Sequence, residues 1–216
     1  MNLNRLMKKS QSVTSLRHFV KIAEHINIKP LLEELNASSK AWLADTSRQR
    51  KVRCQRNTQN IFLRAAKKPL PPGAKNANDV QEIRIMPDAQ KFPCAHAFCE
   101  SVATSLGATL GRATLVKLLP RSEVFPHIDT GSYYRIRDRL HLVLISSYGS
   151  LLGVENETVV MRAGELWVFN NKKLHWAKNP FSELRVHLIF DILPAPGREF
   201  YACSFDDKES NPRFDN

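Results

Sequence analysis

The chain has 216 residues, 43% hydrophobic and 25% charged, with only 8 Gly and 12 Pro; this suits a globular protein with a sizeable core and excludes collagen-like, low-complexity and disulfide-stapled miniprotein classes. Apolar runs such as Leu142 to Ile145 are far shorter than the ~18 residues of a membrane helix, so no membrane association is expected. The net charge of +11 sits at one end: residues 1–72 carry 15 Lys and Arg against 4 Asp and Glu, and the remainder carries 17 against 17.

A basic first third would attract an acidic partner or nucleic acid, or would serve equally well as a solvated helical surface. Met1 to Ala23 hold five basic residues and no acid, a faint likeness to a transit peptide, but lack the apolar stretch of a secretory signal; a cytoplasmic location is expected. Leu16, Phe19, Val20, Ala23 and Ile26 follow a three-to-four spacing that predicts an amphipathic helix ending before Pro30. Pro30 opens a second helix with Leu31, Leu32, Leu35 and Trp42 on its apolar face. A charged stretch from Arg48 to Arg56 follows, then a strand at Ile61–Leu63 and a Pro-, Gly- and Asn-rich loop from Lys67 to Asn78. Residues 88–106 predict a helix burying Phe92, Ala95, Phe98, Cys99, Val102 and Leu106, with Pro93 as an alternative start and Gly107 as a stop.

From Arg112 the pattern changes to short β-rich runs at 112–119, 139–147, 158–162, 165–169, 174–178 and 184–192, with turns at Asn156 and Ala163-Gly164. Strands without intervening helices predict a mainly β architecture within the α+β class, an antiparallel sandwich or jelly roll with the preceding helices packed on one sheet. The expected organisation is a basic helical region at 1–55, a β domain at 56–200 and a tail at 201–216, disordered from Lys208. Cys54, Cys94, Cys99 and Cys203 contain no Cys-x-x-Cys pair and are read as reduced thiols.

The stretch Pro126-His127-Ile128-Asp129 carries the most chemistry. Residues two apart on an extended chain point the same way, so His127 and Asp129 can converge on one point, as two corners of a two-His-one-carboxylate Fe(II) site. The same pair alone also fits a surface turn in which Asp129 accepts a backbone N–H. His175, on a downstream strand, is the best candidate for the third ligand. Arg139/His141 and Arg185/His187 alternate with apolar neighbours, so each pair faces away from Leu140, Leu142, Val186 and Leu188. If the apolar set meets the helices, the Arg/His set points into the barrel. A desolvated guanidinium there needs an anion, either a protein acid such as Glu165 or Asp191 or a small dicarboxylate held bidentately.

These segments occur in order: Leu118-Leu119-Pro120, Pro126-His127-Ile128-Asp129, Arg139-Leu140-His141, Gly164-Glu165-Leu166-Trp167, Asn170-Asn171, His175, and Arg185 to Asp191. In this arrangement Arg112 to Leu193 resembles the aspartyl/asparaginyl β-hydroxylase family of Fe(II)/2-oxoglutarate-dependent dioxygenases, with weaker similarity from Asn57 to Arg64. The resemblance implies a double-stranded β-helix (a cupin-like jelly roll), with His127, Asp129 and His175 as catalytic iron ligands. It implies that Arg185 pairs with the far carboxylate of 2-oxoglutarate and that Arg139 and His141 help hold this cosubstrate near the metal. The expected reaction consumes 2-oxoglutarate and O₂, releases succinate and CO₂, and hydroxylates an aliphatic carbon of an amino acid, a peptide or protein residue, or a related small molecule. The helical repeats and membrane anchor of the animal enzyme have no counterpart in the sequence, so its specificity for aspartyl or asparaginyl residues is not implied. The rival expectation is a non-catalytic cupin-like binding module whose basic N-terminal region docks on nucleic acid. Smaller candidates are His18 and His25 on one face of the first helix, His96, the turn residues Asn170 and Asn171, the packing residues Trp167 and Trp176, and Tyr133, Tyr134, Arg135 and Arg137 as substrate contacts or an exposed lid.

Overall fold

A computed structural model describes residues 16–44, 49, 52–147 and 150–201; Arg48, Arg50, Lys51, Cys203 and the tail from Lys208 lie outside these. In chain order come β1 (Phe19–Ala23), α1 (Lys29–Ala37), a 3₁₀ turn (Ser39–Leu43), β2 (Thr58–Ala66), β3 (Ile83–Ile85) and α2 (Pro93–Ser105). They are followed by β4 (Thr109–Leu118), β5 (Ser122–His127), the one-turn α3 (Ser132–Arg135), β6 (Asp138–Ile145), β7 (Leu151–Val154), β8 (Glu157–Val160), β9 (Leu166–Phe169), β10 (His175–Asn179) and β11 (Arg185–Leu193).

All strand pairs are antiparallel and form two sheets, in the orders β1-β9-β6-β11-β4-β2-β3 and β5-β10-β7-β8. From β4 to β11 the chain passes back and forth between them, so β9, β6, β11 and β4 face β5, β10, β7 and β8. This is the double-stranded β-helix, a cupin-like jelly roll, with β1, β2 and β3 extending the larger sheet at its edges.

Period-two alternation sorts the side chains of the large sheet. Leu140, Leu142 and Leu144 of β6 and Val186, Leu188 and Phe190 of β11 pack outward with Leu31 of α1 and Phe92, Phe98 and Val102 around α2. Val143, Phe169 and Trp167 point inward, meeting Leu152, Val154 and Ala177 of the small sheet. The helices have clear local causes. Pro30 and Pro93 occupy first turns, where a missing N–H costs nothing. The Glu34 carboxylate of α1 accepts the Cys94 and Ala95 N–H groups at the start of α2, tying the helices together. Gly107, at φ +64°, closes α2, and the Ala108 N–H returns to the Ala103 carbonyl at 2.9 Å.

The helix expected over Leu16 to Ile26 is instead strand β1, so the basic first third is not wholly helical. Phe19, Val20 and Lys21 pair with Phe169, Val168 and Trp167, and a bulge before Ala23 shifts the register. One extra residue turns a period of two into the three-to-four spacing that mimics a helix, while Phe19, Val20 and Ile22 are residues that strands favour. The helix expected over 88–106 divides into a 3₁₀ turn at Pro87–Lys91 and α2 from Pro93, and Trp42 lies on the 3₁₀ turn beyond α1. Strands β3, β5 and β7 were not expected: β5 contains Pro126 and half-exposed polar residues, and β7 is a four-residue run broken by Gly153.

Candidate metal centre and cavity

Strands β5 and β10 are neighbours, and their register places His175 directly opposite His127, with ring centroids 4.3 Å apart. Asp129 follows the end of β5. Its N–H donates to the Asn171 carbonyl at 3.2 Å, and the Asn171 side-chain amide donates to Asp129 Oδ2 at 3.1 Å. One ligand atom from each of His127, Asp129 and His175 lies within 4.8 Å of the others, and among the described residues this is the group able to hold a metal. The tautomers are set by the backbone. His127 Nδ1 donates to the Phe125 carbonyl at 2.8 Å and His175 Nδ1 to the Lys173 carbonyl at 2.9 Å, which leaves both Nε2 lone pairs for an ion. Two imidazole nitrogens and one carboxylate fit a first-row divalent metal with coordination positions left open.

Arg139 is committed to protein acids. Its Nη1 donates to Asp129 Oδ2 at 2.6 Å, while Nε and Nη2 form a fork on Asp191 at 2.8 and 3.2 Å. Burial alone would raise the Asp129 carboxyl, but Arg139, the two imidazoles and Asn171 together hold it well below the usual carboxylate range. His175 is pushed down to about 4, chiefly by burial, which Asp129 only partly offsets. Asp129 is therefore kept as an anion and His175 as a neutral imidazole, the forms that ligate.

Arg185 contrasts with Arg139. It is 6% exposed, and its guanidinium has no hydrogen-bond or ion-pair partner among the described residues; burial pulls it down to about 10. It lines the same cavity of about 570 Å³ as His127, Asp129 and His175, together with Arg139 and His141. Both Arg/His pairs thus face the barrel interior, as the strand alternation implied. His187 is also buried there, with its Nδ1 3.2 Å from His141 Nδ1.

The smaller candidates separate. Asn171 holds Asp129, while Asn170 makes a turn by accepting the Lys172 N–H at 3.2 Å. Tyr133 and Tyr134 are buried rather than forming an exposed lid, and Tyr134 lines the cavity. The Arg112 guanidinium stacks 3.7 Å from the Tyr133 ring, and its backbone N–H donates to the Tyr133 hydroxyl at 2.8 Å. This clamp was not anticipated, because its members lie on separate elements and nothing in either segment announces the other. Trp167 donates to Glu165 at 2.9 Å, and Trp176 lines the cavity, lying across Gly153, where a Cβ would overlap the indole. His18 and His25 do not share a helix face: His18 is buried 3.1 Å from Glu155, and His25 is exposed in a loop. His96 is half-buried on α2, 3.7 Å from Glu100.

The model of the aspartyl/asparaginyl β-hydroxylase family matches residues 27–194. The chain belongs to this family. No curated protein matches it. Among solved structures it is similar to a Pseudomonas putida prolyl-4-hydroxylase, at 15% identity over 89% of this chain and 99% of the other, with a TM-score of 0.48. It is also similar to a collagen prolyl hydroxylase of Paramecium bursaria Chlorella virus-1 in complex with 2-oxoglutarate, at 12% identity over 85% and 100%, TM-score 0.47. A Burkholderia pseudomallei oxidoreductase of the 2-oxoglutarate-Fe(II) oxygenase family follows, at 11% identity over 67% and 68%, TM-score 0.45. As a member of the aspartyl/asparaginyl β-hydroxylase family the chain is an enzyme of the hydroxylase type; the family implies Fe(II) and 2-oxoglutarate, and the His127, Asp129 and His175 donor set suits that metal. Among the described residues no helix is long and apolar enough to cross a membrane.

Proposed function

We propose that the protein hydroxylates an aliphatic carbon of an amino acid, a peptide or protein residue, or a related small molecule. The reaction consumes one 2-oxoglutarate and one O₂ and releases succinate and CO₂, one oxygen atom entering the product and one the succinate. The observation that carries this reading is a single cavity holding both the His127/Asp129/His175 cluster and the unpartnered Arg185. A buried cation without an acid is costly, and a dicarboxylate cosubstrate supplies the missing anion.

In this assignment His127, Asp129 and His175 hold the iron, which with 2-oxoglutarate bound supplies the oxidising power for the C–H bond. Arg185 receives the far carboxylate of 2-oxoglutarate in a two-pronged contact that fixes direction as well as charge. Arg139 and His141 border the near end of the cosubstrate. Arg139 acts through Asp129, keeping that ligand deprotonated and aimed, and Asn171 does the same from the other side. Phe169, Leu152 and Ile189 wall the cavity with apolar surface and exclude water. Anaerobic addition of Fe(II) and 2-oxoglutarate is expected to give a weak visible charge-transfer band, and aerobic turnover to release succinate. Neither signal at saturation would leave a non-catalytic cupin-like module.

A second reading concerns the substrate. The outer cavity wall carries Arg64, Lys68, Arg84 and Arg112, and the only acids among the described lining residues are Asp129 and Asp191, both paired with Arg139. This favours an acidic substrate or partner, with the basic region 1–55 as a further recruiting surface and residues 56–200 as the catalytic unit. Salt-sensitive binding of nucleic acid without turnover would favour the docking alternative. The free thiols Cys94 and Cys99 support a cytoplasmic setting.

A further inference from the structure

Two buried imidazoles on adjacent strands, His141 of β6 and His187 of β11, have no acid between them. Their rings meet edge to face, with centroids 5.3 Å apart at 85°, and the two Nδ1 atoms are 3.2 Å apart. Both residues are more than nine-tenths buried, and the Nε2 atom of each has no hydrogen-bond partner in the structure. His141 lines the cavity that holds the candidate metal cluster and Arg185, whereas His187 is not among its lining residues.

Elementary hydrogen-bond accounting restricts this pair. Two neutral imidazoles whose Nδ1 atoms share a bond have one proton between them, so one ring is the Nδ1–H tautomer and the other the Nε2–H tautomer. Burial, then the positive charge of Arg185 beside them, keeps both rings from taking a further proton. The pair therefore has two arrangements. In one, His141 offers an Nε2–H; in the other, it offers a bare lone pair, which repels an anion. Arg139 is a poor partner for a cosubstrate carboxylate, because Asp129 and Asp191 take three of its five N–H groups and balance its charge. His141, which lines the cavity with an unpartnered Nε2, is the neutral donor beside the candidate metal ligands.

We propose that His187 is a positioning residue that donates its Nδ1–H to His141 Nδ1, fixing His141 as the Nε2–H tautomer that hydrogen-bonds the 2-oxoglutarate carboxylate. The inference rests on the function proposed above. An imidazole pair of this kind is a neutral donor with a defined polarity, placed where a charged donor is already neutralised.

The test begins with the full-length Zn(II)-loaded protein, which is diamagnetic. Two-bond ¹H–¹⁵N correlation of the imidazoles with 2-oxoglutarate bound is expected to show His187 as Nδ1–H and His141 as Nε2–H. The reverse polarity overturns the proposal. In His187→Phe the His141 pattern is expected to lose its single tautomer, and the Kd for 2-oxoglutarate by calorimetry to rise about tenfold, the scale of one lost hydrogen bond. The Zn(II) affinity should stay within about twofold, as His187 touches no ligand of the metal. His187→Asn, whose amide can donate at a similar reach, is expected to recover affinity to within about threefold and guards against a folding defect in the Phe variant. In turnover the KM for 2-oxoglutarate should follow the Kd, with kcat falling by less. Unchanged affinity in His187→Phe overturns this inference alone, whereas a wild-type protein that binds no 2-oxoglutarate overturns the oxygenase reading and this inference with it.

Discussion

Strands β6 and β11 present two unlike surfaces. Toward the helices they offer Leu140, Leu142, Leu144, Val186, Leu188 and Phe190, all buried in one apolar cluster. Toward the barrel they offer His141, Arg185, His187 and Asp191, equally buried but polar or charged, and Arg139, which is partly buried. Because side chains alternate, the same backbone can draw its stability from one face and carry the desolvation cost of a site on the other. The inner face is itself divided: Arg139 is neutralised by two carboxylates, and Arg185 by none. The outer face should thus control folding, Arg139 the metal, and Arg185 the cosubstrate.

The strongest way to break this division is His175→Ala. Turnover should vanish and Fe(II) affinity should fall by more than the ~100-fold typical of losing a supporting residue, while the thermal midpoint of the metal-free protein stays close to wild type. Loss of folding instead would mean that the inner face also holds the barrel together. Next comes the arginine pair. Arg139→Met strands Asp129 and Asp191 as buried unpaired acids and should cost about 3–5 kcal/mol of stability as well as weakening Fe(II). Arg185→Met removes an unpartnered buried cation. It should stabilise the metal-free protein, on the order of 1–3 kcal/mol, while raising the Kd for 2-oxoglutarate about 10- to 100-fold. Denaturant unfolding and calorimetry on the two variants would show opposite signs of stability change; equal signs would refute the contrast. On the outer face, Leu142→Ala should cost about 2–5 kcal/mol by leaving a cavity under the helices, with the Fe(II) affinity unchanged.

How much of this was legible in the sequence follows from the range of the interactions. The β6 and β11 alternation could be read from residue order because it is local, and it correctly implied which side chains face inward. The candidate metal-binding trio could be nominated because His127 and Asp129 are two residues apart, with His175 supplied by an adjacent strand. What escaped depends on partners distant in the chain. The bulge in β1 disguised a strand as a helix, and Arg112 on Tyr133 joins elements with no shared pattern. Arg139 illustrates the boundary: an inward guanidinium was predictable, but its choice of Asp129 and Asp191 required the fold.

Acidity probes the inner face without a substitution. In the folded metal-free protein His175 takes up a proton only at about 4, against about 6.5 in the unfolded chain. Unfolding therefore binds a proton between these limits, and stability present above about pH 6.5 is lost as the pH falls toward 4. His175 alone should cost about 2 kcal/mol between pH 7 and pH 5, and His141 and His187, also pushed well down by burial, should steepen the slope. Urea unfolding at pH 7, 6 and 5 measures it; stability that holds or rises on acidification would show that these imidazoles are not buried as neutral groups.

The smallest expected effect lies at the cavity mouth. Lys68 and Arg84 are exposed, line the outer wall, and have no acidic partner among the described residues. Water screens them, so each should contribute well under ~1 kcal/mol to the capture of an acidic substrate. Lys68→Ala and Arg84→Ala together should lower kcat/KM for such a substrate by about two- to fivefold at low salt, with the loss fading as salt shortens the ~10 Å screening length. The thermal midpoint and the 2-oxoglutarate Kd should not move, because neither residue touches Arg185 or the metal cluster. An equal loss with a neutral substrate, or one that persists at high salt, would show that these side chains shape the mouth rather than charge it.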